Sequence, residues 1–130
     1  MIEPKERYKD FLIGKFNFNT VNPKYRDAIM LYCSTLFKSR YDWGKFEIYL
    51  YEIPMTVLKE DVHSSLEVGL FSSFEDYHNY YTSTHELKEH AEIWPVFLDK
   101  MFGCVIEDGW QRFHSYVKQG VEKIPCLLIE

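Results

Sequence analysis

Residues 45–53 read KFEIYLYEI, and the alternation in this stretch decides the fold class. One side carries Phe46, Ile48 and Leu50, and the other carries Glu47, Tyr49 and Tyr51. Successive side chains of an extended chain point to opposite faces of a sheet. The stretch therefore predicts a β-strand with one buried face. Pro54 follows and ends it, because proline has no N–H to donate to a neighbouring strand.

Three further stretches predict strands on either side of this one. FLIGKFNF at 11–18 is apolar and aromatic with partial alternation. SLEVGLF at 65–71 alternates in the same way, and FGCVIED at 102–108 is short and apolar. Residues 55–64, between the second and third strands, are interpreted as a connection.

A helix is predicted from Asn22 to about Ser39. Asn22 is a good N-cap residue, and Pro23 suits the first helical position. Apolar residues then recur at spacings of three and four, as on one face of an amphipathic helix. They are Tyr25, Ala28, Ile29, Tyr32, Cys33 and Leu36.

Residues 72–90, SSFEDYHNYYTSTHELKEH, predict two helical pieces separated by the polar residues TST at 82–84. Ser73 with Asp76, and Ser83 with Glu86, have the spacing of a capping box. The second helix continues to about residue 101, with Pro95 kinking or restarting it. Its apolar face would carry Leu87, Ala91, Trp94, Leu98 and Met101.

The predicted order is β-α-β-β-α-β, a ferredoxin-like α+β fold with an antiparallel sheet and both helices on one face. The other face, with either Phe46, Ile48 and Leu50 or Tyr49 and Tyr51, would be bare. A bare apolar face predicts a partner, which we expect to be a second copy. The chain is interpreted as a single domain, 1–130, with a core at about 10–108. The extension 109–130 predicts a short helix and a terminal strand or arm, which covers the sheet edge or crosses to the partner.

Charge and composition exclude several classes of protein. The net charge is −5 and there is no long basic cluster, which argues against nucleic acid as a partner. The sequence has no run of 18 apolar residues, so no membrane span is predicted. The first ten residues do not resemble a signal peptide. The three cysteines have neither zinc nor redox spacing, so we expect a cytoplasmic protein without a metal or cofactor. Aromatic residues make up 18% of the chain, which suits a core or a ligand pocket.

Residues 10–108 resemble the stress-responsive dimeric α/β-barrel family. The similarity lies in the element order and in THELKEHAEIWPVFLDKMFGCVIED following LEVGLFSSFEDY. The first strand, FLIGKF, also fits. The matching positions are Ser72, His85, Pro95, Val96, Asp99, Lys100 and Asp108. The resemblance implies a paired barrel, while activity varies within such families.

The plant polyketide cyclases of this family use a Tyr and a His in a pocket between sheet and helices. By this resemblance, His85 matches the catalytic His and Tyr32 a pocket Tyr. Asp10 stands where the relatives have a His, and Asn79 where they have the catalytic Tyr, with Tyr80 beside it. Thr82 and Ser83 replace the first His and the Pro of their histidine box. The cyclase set is therefore incomplete here.

The candidate site places His85 in the first turn of a helix, where the helix dipole disfavours added positive charge. A neutral imidazole can act as a general base, with Tyr80, Tyr32 or Asn79 holding a carbonyl oxygen. Asp10 and Trp94 complete the predicted pocket. Its ligand would be a small apolar or aromatic molecule, and its chemistry cyclisation, isomerisation or dehydration.

Two other classes of function remain open, as does the question of whether the protein is an enzyme. One is a non-enzymatic stress-responsive or structural dimer, in which His85 only bonds nearby backbone. The other is a monooxygenase or haem-binding relative, with His85 or His78 as the axial ligand. His63 and His114 are assigned to surface segments, and Tyr77, Tyr80 and Tyr81 cannot all face the core.

Overall fold

The computed structural model describes residues 3–37, 46–65, 68–87, 94–99 and 105–130 of the 130-residue chain. These residues form an α+β fold around one five-stranded sheet. The strands are β1 (Leu12–Phe16), β2 (Ile48–Pro54), β3 (Val96–Leu98), β4 (Ile106–Asp108) and β5 (Lys123–Ile129).

The strand order in the sheet is β1-β2-β5-β3-β4. Neighbouring strands are antiparallel except for β3 and β5, which are parallel. Cys126 in the middle of β5 pairs with Tyr51 of β2 on one side and with Val96 of β3 on the other. The strand nearest the end of the described chain therefore lies at the centre of the sheet.

The helices begin and end at residues suited to those positions. They are α1 (Pro4–Arg7), α2 (Arg26–Phe37), α3 (Met55–His63), α4 (Phe74–Thr84) and α5 (Trp110–Gln119). A 3-10 turn, Pro23–Tyr25, leads into α2, and the Asn22 side chain accepts a hydrogen bond from the Lys24 N–H. Ser73 accepts from the Asp76 N–H at the start of α4. Gly120 ends α5 with φ of 70°, a left-handed conformation that glycine adopts without strain.

Helices cover both faces of the sheet. On the first face, Tyr51, Val96 and Cys126 pack in one apolar cluster with buried residues of α3, α4 and α5. On the second face, Ile48, Phe97, Leu127 and Ile129 pack with the buried residues of α2. Alternate side chains of β2, β3 and β5 thus pack into two separate cores, one on each face of the sheet.

The α+β class predicted from the sequence is confirmed, while several finer features differ. The sheet is mixed rather than antiparallel, because β3 and β5 run parallel. Helices lie on both faces rather than on one. Neither face is bare: α2 covers the side of Ile48 and Leu50, and α3, α4 and α5 cover the side of Tyr49 and Tyr51. The argument for a partner on a bare face therefore loses its basis.

Four predicted elements are corrected. Residues 55–63 form α3 rather than a connection. Residues 68–70 of the predicted third strand form a 3-10 turn, and 66–67 lie outside the described residues. Residues 96–98, assigned to the second helix, form β3. The helix and strand expected in the extension 109–130 are observed, but the strand is central and not at an edge.

Two predicted elements lie partly outside the described residues. Ala91 and Met101, on the expected second helix, lie outside the described residues. So do residues 102–104, at the start of the expected fourth strand, whereas 106–108 form β4 as predicted.

Candidate functional site

The contact between α4 and α5 brings together histidine and tyrosine side chains. Phe74, Tyr77, His78 and Tyr81 of α4 follow one another at spacings of three, one and three, so they form one stripe on the helix. This stripe faces His114 of α5, which is 0% exposed.

A chain of hydrogen bonds runs through these residues. Nδ1 of His78 lies 2.8 Å from Nδ1 of His114, and Nε2 of His114 lies 3.1 Å from the Tyr77 hydroxyl. A proton therefore lies between the two Nδ1 atoms, donated by one ring and accepted by the other. We call Tyr77, His114 and His78 the imidazole chain.

The rings also stack in a column. Tyr81 lies over His114 with centroids 3.8 Å apart and an angle of 13° between the planes. On its other side Tyr81 lies over His85, at 4.1 Å and 7°. His85 is thus linked to the imidazole chain through the Tyr81 ring rather than by a direct bond.

Burial keeps both imidazoles of the chain neutral. It lowers the pKa of His114 to about 3, and the neighbouring His78 and His85 add to the effect. It also lowers the pKa of His78, helped by the charge of Lys59. Near pH 7 both rings are therefore neutral, and each has one nitrogen that donates a hydrogen bond and one that accepts.

An exposed apolar surface adjoins the chain on one flank of α4. The Phe71 ring lies 5.5 Å from the rings of both Tyr77 and Tyr80. Leu70 is 88% exposed and Tyr80 58% exposed. We call Leu70, Phe71 and Tyr80 the aromatic flank. Tyr77 belongs to both features, since its ring contacts Phe71 and its hydroxyl bonds to His114.

The predicted position of His85 at the start of a helix is wrong. His85 follows the last residue of α4 as its C-cap, and its N–H donates to the Tyr81 carbonyl. The predicted break at 82–84 is also wrong, because these residues complete α4. The side chain is exposed, and Nδ1 lies 2.9 Å from the Thr84 hydroxyl. The helix-start argument for a neutral imidazole therefore does not apply to His85.

The other predicted site residues lie in three places. Asn79 and Tyr80 are exposed on α4, and Asp10 is exposed in a 3-10 turn before β1. Tyr32 and Trp94 belong to the core on the second face of the sheet. The sheet thus separates Tyr32 and Trp94 from the residues of α4, so they do not share a pocket with His85.

Tyr32 and Trp94 have structural partners on their own face. The Tyr32 ring stacks on Phe97 at 4.1 Å, and its hydroxyl donates to Glu107 at 2.9 Å. The Arg112 guanidinium lies 5.3 Å from the centre of the Trp94 ring and donates to the Pro95 carbonyl. These contacts tie α2, β3, β4 and α5 together.

The sequence interpretation missed His114, which it placed in a surface segment. The signal was present, because His114 lies four residues after Trp110 and three before Val117, within the apolar stripe of α5. The stripe of α4 was hidden by the expected break at 82–84. A continuous helix would have placed Tyr77, His78 and Tyr81 on one face.

Among the described residues, no group of three or more His, Cys, Asp or Glu side chains is placed to hold a metal ion. In that part of the chain, every helix is too short or too polar to cross a membrane. Comparison with family models, curated proteins and solved structures gives no match for this chain.

Proposed function

We propose that the protein binds a small apolar or aromatic carbonyl compound on the aromatic flank and catalyses proton transfer at the carbon next to its carbonyl group. Cyclisation, isomerisation and dehydration are reactions of this kind. The observation that carries the proposal is the imidazole chain, which joins a half-buried tyrosine hydroxyl to two neutral histidines.

Tyr77 is the catalytic residue in this proposal. Its hydroxyl can donate a hydrogen bond to a ligand oxygen as negative charge develops there. It can also exchange its proton with Nε2 of His114, 3.1 Å away. When Tyr77 gives its proton to the ligand oxygen, Nε2–H of His114 replaces it, and the proton lost from the α-carbon goes to water or to His85, the predicted base.

His78 connects the chain to the opposite flank of α4. Two positions on a helix are about 200° apart, so His78 and Tyr80 lie on opposite sides of the stripe. His78 is only partly buried, and no described residue bonds to its Nε2. A proton taken up at this nitrogen lets Nδ1–H donate to His114, which donates in turn to Tyr77. Water beside His78 can then supply the proton that Tyr77 gives to a ligand on the aromatic flank.

The aromatic flank supports the class of ligand. Exposed aromatic and aliphatic side chains favour planar apolar molecules, because their contact removes apolar surface from water. Tyr77 sits where such a molecule would meet a hydrogen-bond donor.

The test is exchange of the α-protons of phenylacetone for deuterium, followed by proton NMR in D₂O. We expect the protein to accelerate the exchange and Tyr77→Phe to reduce the acceleration at least tenfold, as loss of a positioned acid–base group does. Tyr25→Phe removes a hydroxyl on the other face of the sheet and is the matched control. Equal rates for wild type and Tyr77→Phe contradict the role of Tyr77. Saturation-transfer NMR that detects neither binding nor exchange favours a non-enzymatic protein.

His85 remains a prediction as a general base, and the same assay separates it from Tyr77. It contacts the imidazole chain only by stacking on Tyr81. If His85 is the base, His85→Ala loses as much activity as Tyr77→Phe. If it only supports the Tyr81 ring, the loss is smaller.

Membership of the dimeric barrel family and a homodimer also remain proposals. The residues between 72 and 108 that match the family pattern support the first. The exposed Leu12 and Ile13 on the edge strand β1 support a contact between copies.

A further inference from the structure

We propose that the His78–His114 pair makes the contact between α4 and α5 acid-labile, so that proton uptake by the pair releases α4. This goes beyond the proposed function, because it concerns the response of the fold to pH and holds whether or not the protein is an enzyme.

The geometry of the pair limits how many protons it can hold. The two Nδ1 atoms are 2.8 Å apart, a distance that fits one proton between them. One added proton can enter at Nε2 of His78 while Nδ1–H still donates to His114. A second leaves two N–H groups facing each other, which removes the hydrogen bond and brings two positive charges into contact.

The surroundings of the pair do not compensate positive charge. From α4, the rings of Tyr77 and Tyr81 contact His114, and His85, which stacks on the far side of Tyr81, opposes its protonation. From α3, Lys59 opposes protonation of His78. From α5, the neighbour is the apolar ring of Phe113.

Glu75 is the described carboxylate that favours a charged His78. It is mostly exposed, and its oxygen lies 3.8 Å from the Lys59 nitrogen, so water and Lys59 weaken its effect. A charge on His114 would therefore be buried without a carboxylate beside it among the described residues, which is strongly unfavourable.

The direction of the pH effect follows from the lowered pKa values. The ordinary pKa of histidine is 6.5, and both folded-state values lie below it. Below pH 6.5 the unfolded or detached state binds more protons than the folded state. The contact is therefore complete above pH 6.5, weakens as the pH falls, and is lost progressively toward the pKa of about 3 for His114. Each such histidine raises the opening equilibrium about tenfold per pH unit in this window.

Apart from the histidine pair, α4 contributes few buried side chains to the core. Phe74 is its one buried residue, and the remaining side chains of the stripe are half-buried. Elements with few buried apolar contacts open at lower free energy than the core. Charging the pair should therefore release α4 before the sheet unfolds.

The first experiment uses the wild-type protein alone. Histidine side-chain NMR between pH 7.5 and 5.0 follows the protonation of each ring, and hydrogen exchange with mass spectrometry, corrected for the intrinsic effect of pH, follows α4. We expect protection of residues 74–84 to fall about tenfold or more per pH unit below 6.5, while β2 and β5 stay protected. Unchanged protection of α4 down to pH 5.0, or a His114 ring that titrates at 6.5 or above, overturns the proposal.

The second experiment compares two variants. His114→Phe keeps a buried ring but cannot titrate, so we expect its unfolding midpoint to depend less on pH between 6.5 and 5.0. His63→Gln removes the half-buried histidine of α3, whose Nε2 lies 3.0 Å from the Phe71 carbonyl, and should keep the wild-type dependence. If His114→Phe does not fold, His78→Gln takes its place. A variant of the pair that folds and retains the full pH dependence overturns the proposal.

Discussion

At the scale of single residues, Asp61 joins the first helix to the body of the protein. Its carboxylate accepts hydrogen bonds from the Tyr8 hydroxyl at 2.6 Å and from the Arg7 guanidinium at 3.0 and 2.9 Å. Tyr8 is buried in the core of the first face. This cluster orients the N-terminal segment against α3, and its charge-assisted bonds are among the stronger polar contacts of the molecule.

We predict that Asp61→Asn lowers the free energy of unfolding by about 1–3 kcal/mol, because the Arg7 and Tyr8 donors lose a charged acceptor. Urea unfolding measures the change. Glu6→Gln is the control, since Glu6 forms an exposed ion pair with Lys9 and should change the same free energy by less than about 1 kcal/mol. Equal effects of the two substitutions would mean that the Asp61 cluster contributes nothing beyond an ordinary surface pair.

The individual site residues show where sequence reasoning reached its limit. The expected break at 82–84 assigned Tyr80 and His85 to two helical pieces, whereas Tyr80 lies on α4 and His85 is its C-cap. The contact of His114 with the stripe of α4 was missed, because His114 comes from a helix about thirty residues later and nothing local in the sequence shows which face of α4 it meets. Tyr32 was linked to His85 by family resemblance alone, and the sheet lies between them.

At the scale of elements, α4 shows how hydroxyl side chains mislead. Ser83 and Thr84 donate to the Tyr80 carbonyl, and Thr82 donates to the His78 carbonyl. In a continuous helix these carbonyl groups already accept from the N–H four residues on, and Ser and Thr hydroxyls inside helices commonly add such a second bond. The same residue types cap the starts of helices, so the TST segment resembled a boundary.

This assignment gives a prediction that separates the two interpretations. Ser73→Ala removes the N-cap of α4 and should cost about 1 kcal/mol of stability. Ser83→Ala lies within the last turn, where alanine is a good helix former, and should cost less than half of that. Thermal unfolding of both variants measures the difference. A larger loss for Ser83→Ala would place a helix start at Ser83, as the sequence pattern suggested.

Other elements were recognisable in varying degree. The strands β1 and β2 and the helices α2 and α5 follow periodic patterns, and their positions agree with the sequence. For β5 only the final apolar LLI indicated a strand, and Pro125, expected to lie before it, belongs to it. The spacing of Met55, Leu58 and Val62 fits a helix, but this stretch was taken as a connection. In β3, Val96, Phe97 and Leu98 are all buried, because helices cover both faces. A strand buried on both sides has no alternation to reveal it.

At the scale of the whole molecule, β5 decides the architecture. It forms antiparallel pairs with β2 over seven residues and a parallel pair with β3. The sequence indicated this strand but not its neighbours in the sheet. The pairing of β5 with β2 joins residues far apart in the chain, so it depends on tertiary packing and leaves no local pattern. Because β5 lies between β2 and β3, the stretch 109–130 belongs to the core of the fold and is not an addition to it.

We predict that removing residues 123–130 abolishes cooperative unfolding. The deletion separates β2 from β3 and exposes both apolar clusters, since Ile124, Cys126 and Leu128 face one and Leu127 and Ile129 face the other. Near-ultraviolet circular dichroism and a urea titration detect the loss. Lys123→Ala, at the exposed first residue of β5, should unfold like the wild type. A truncated chain with a native-like spectrum and a cooperative transition would contradict the central role of β5.

The pairing of Tyr51 with Cys126 spans 126 − 51 = 75 positions along the chain. Contacts this distant in sequence must close a long loop before they contribute any stability, and proteins rich in them reach the native state slowly. Until that closure, β2 and β3 each present an unpaired apolar edge to other molecules. Refolding yield should therefore decline as protein concentration rises, with the β2–β5 encounter setting the time during which aggregation can compete.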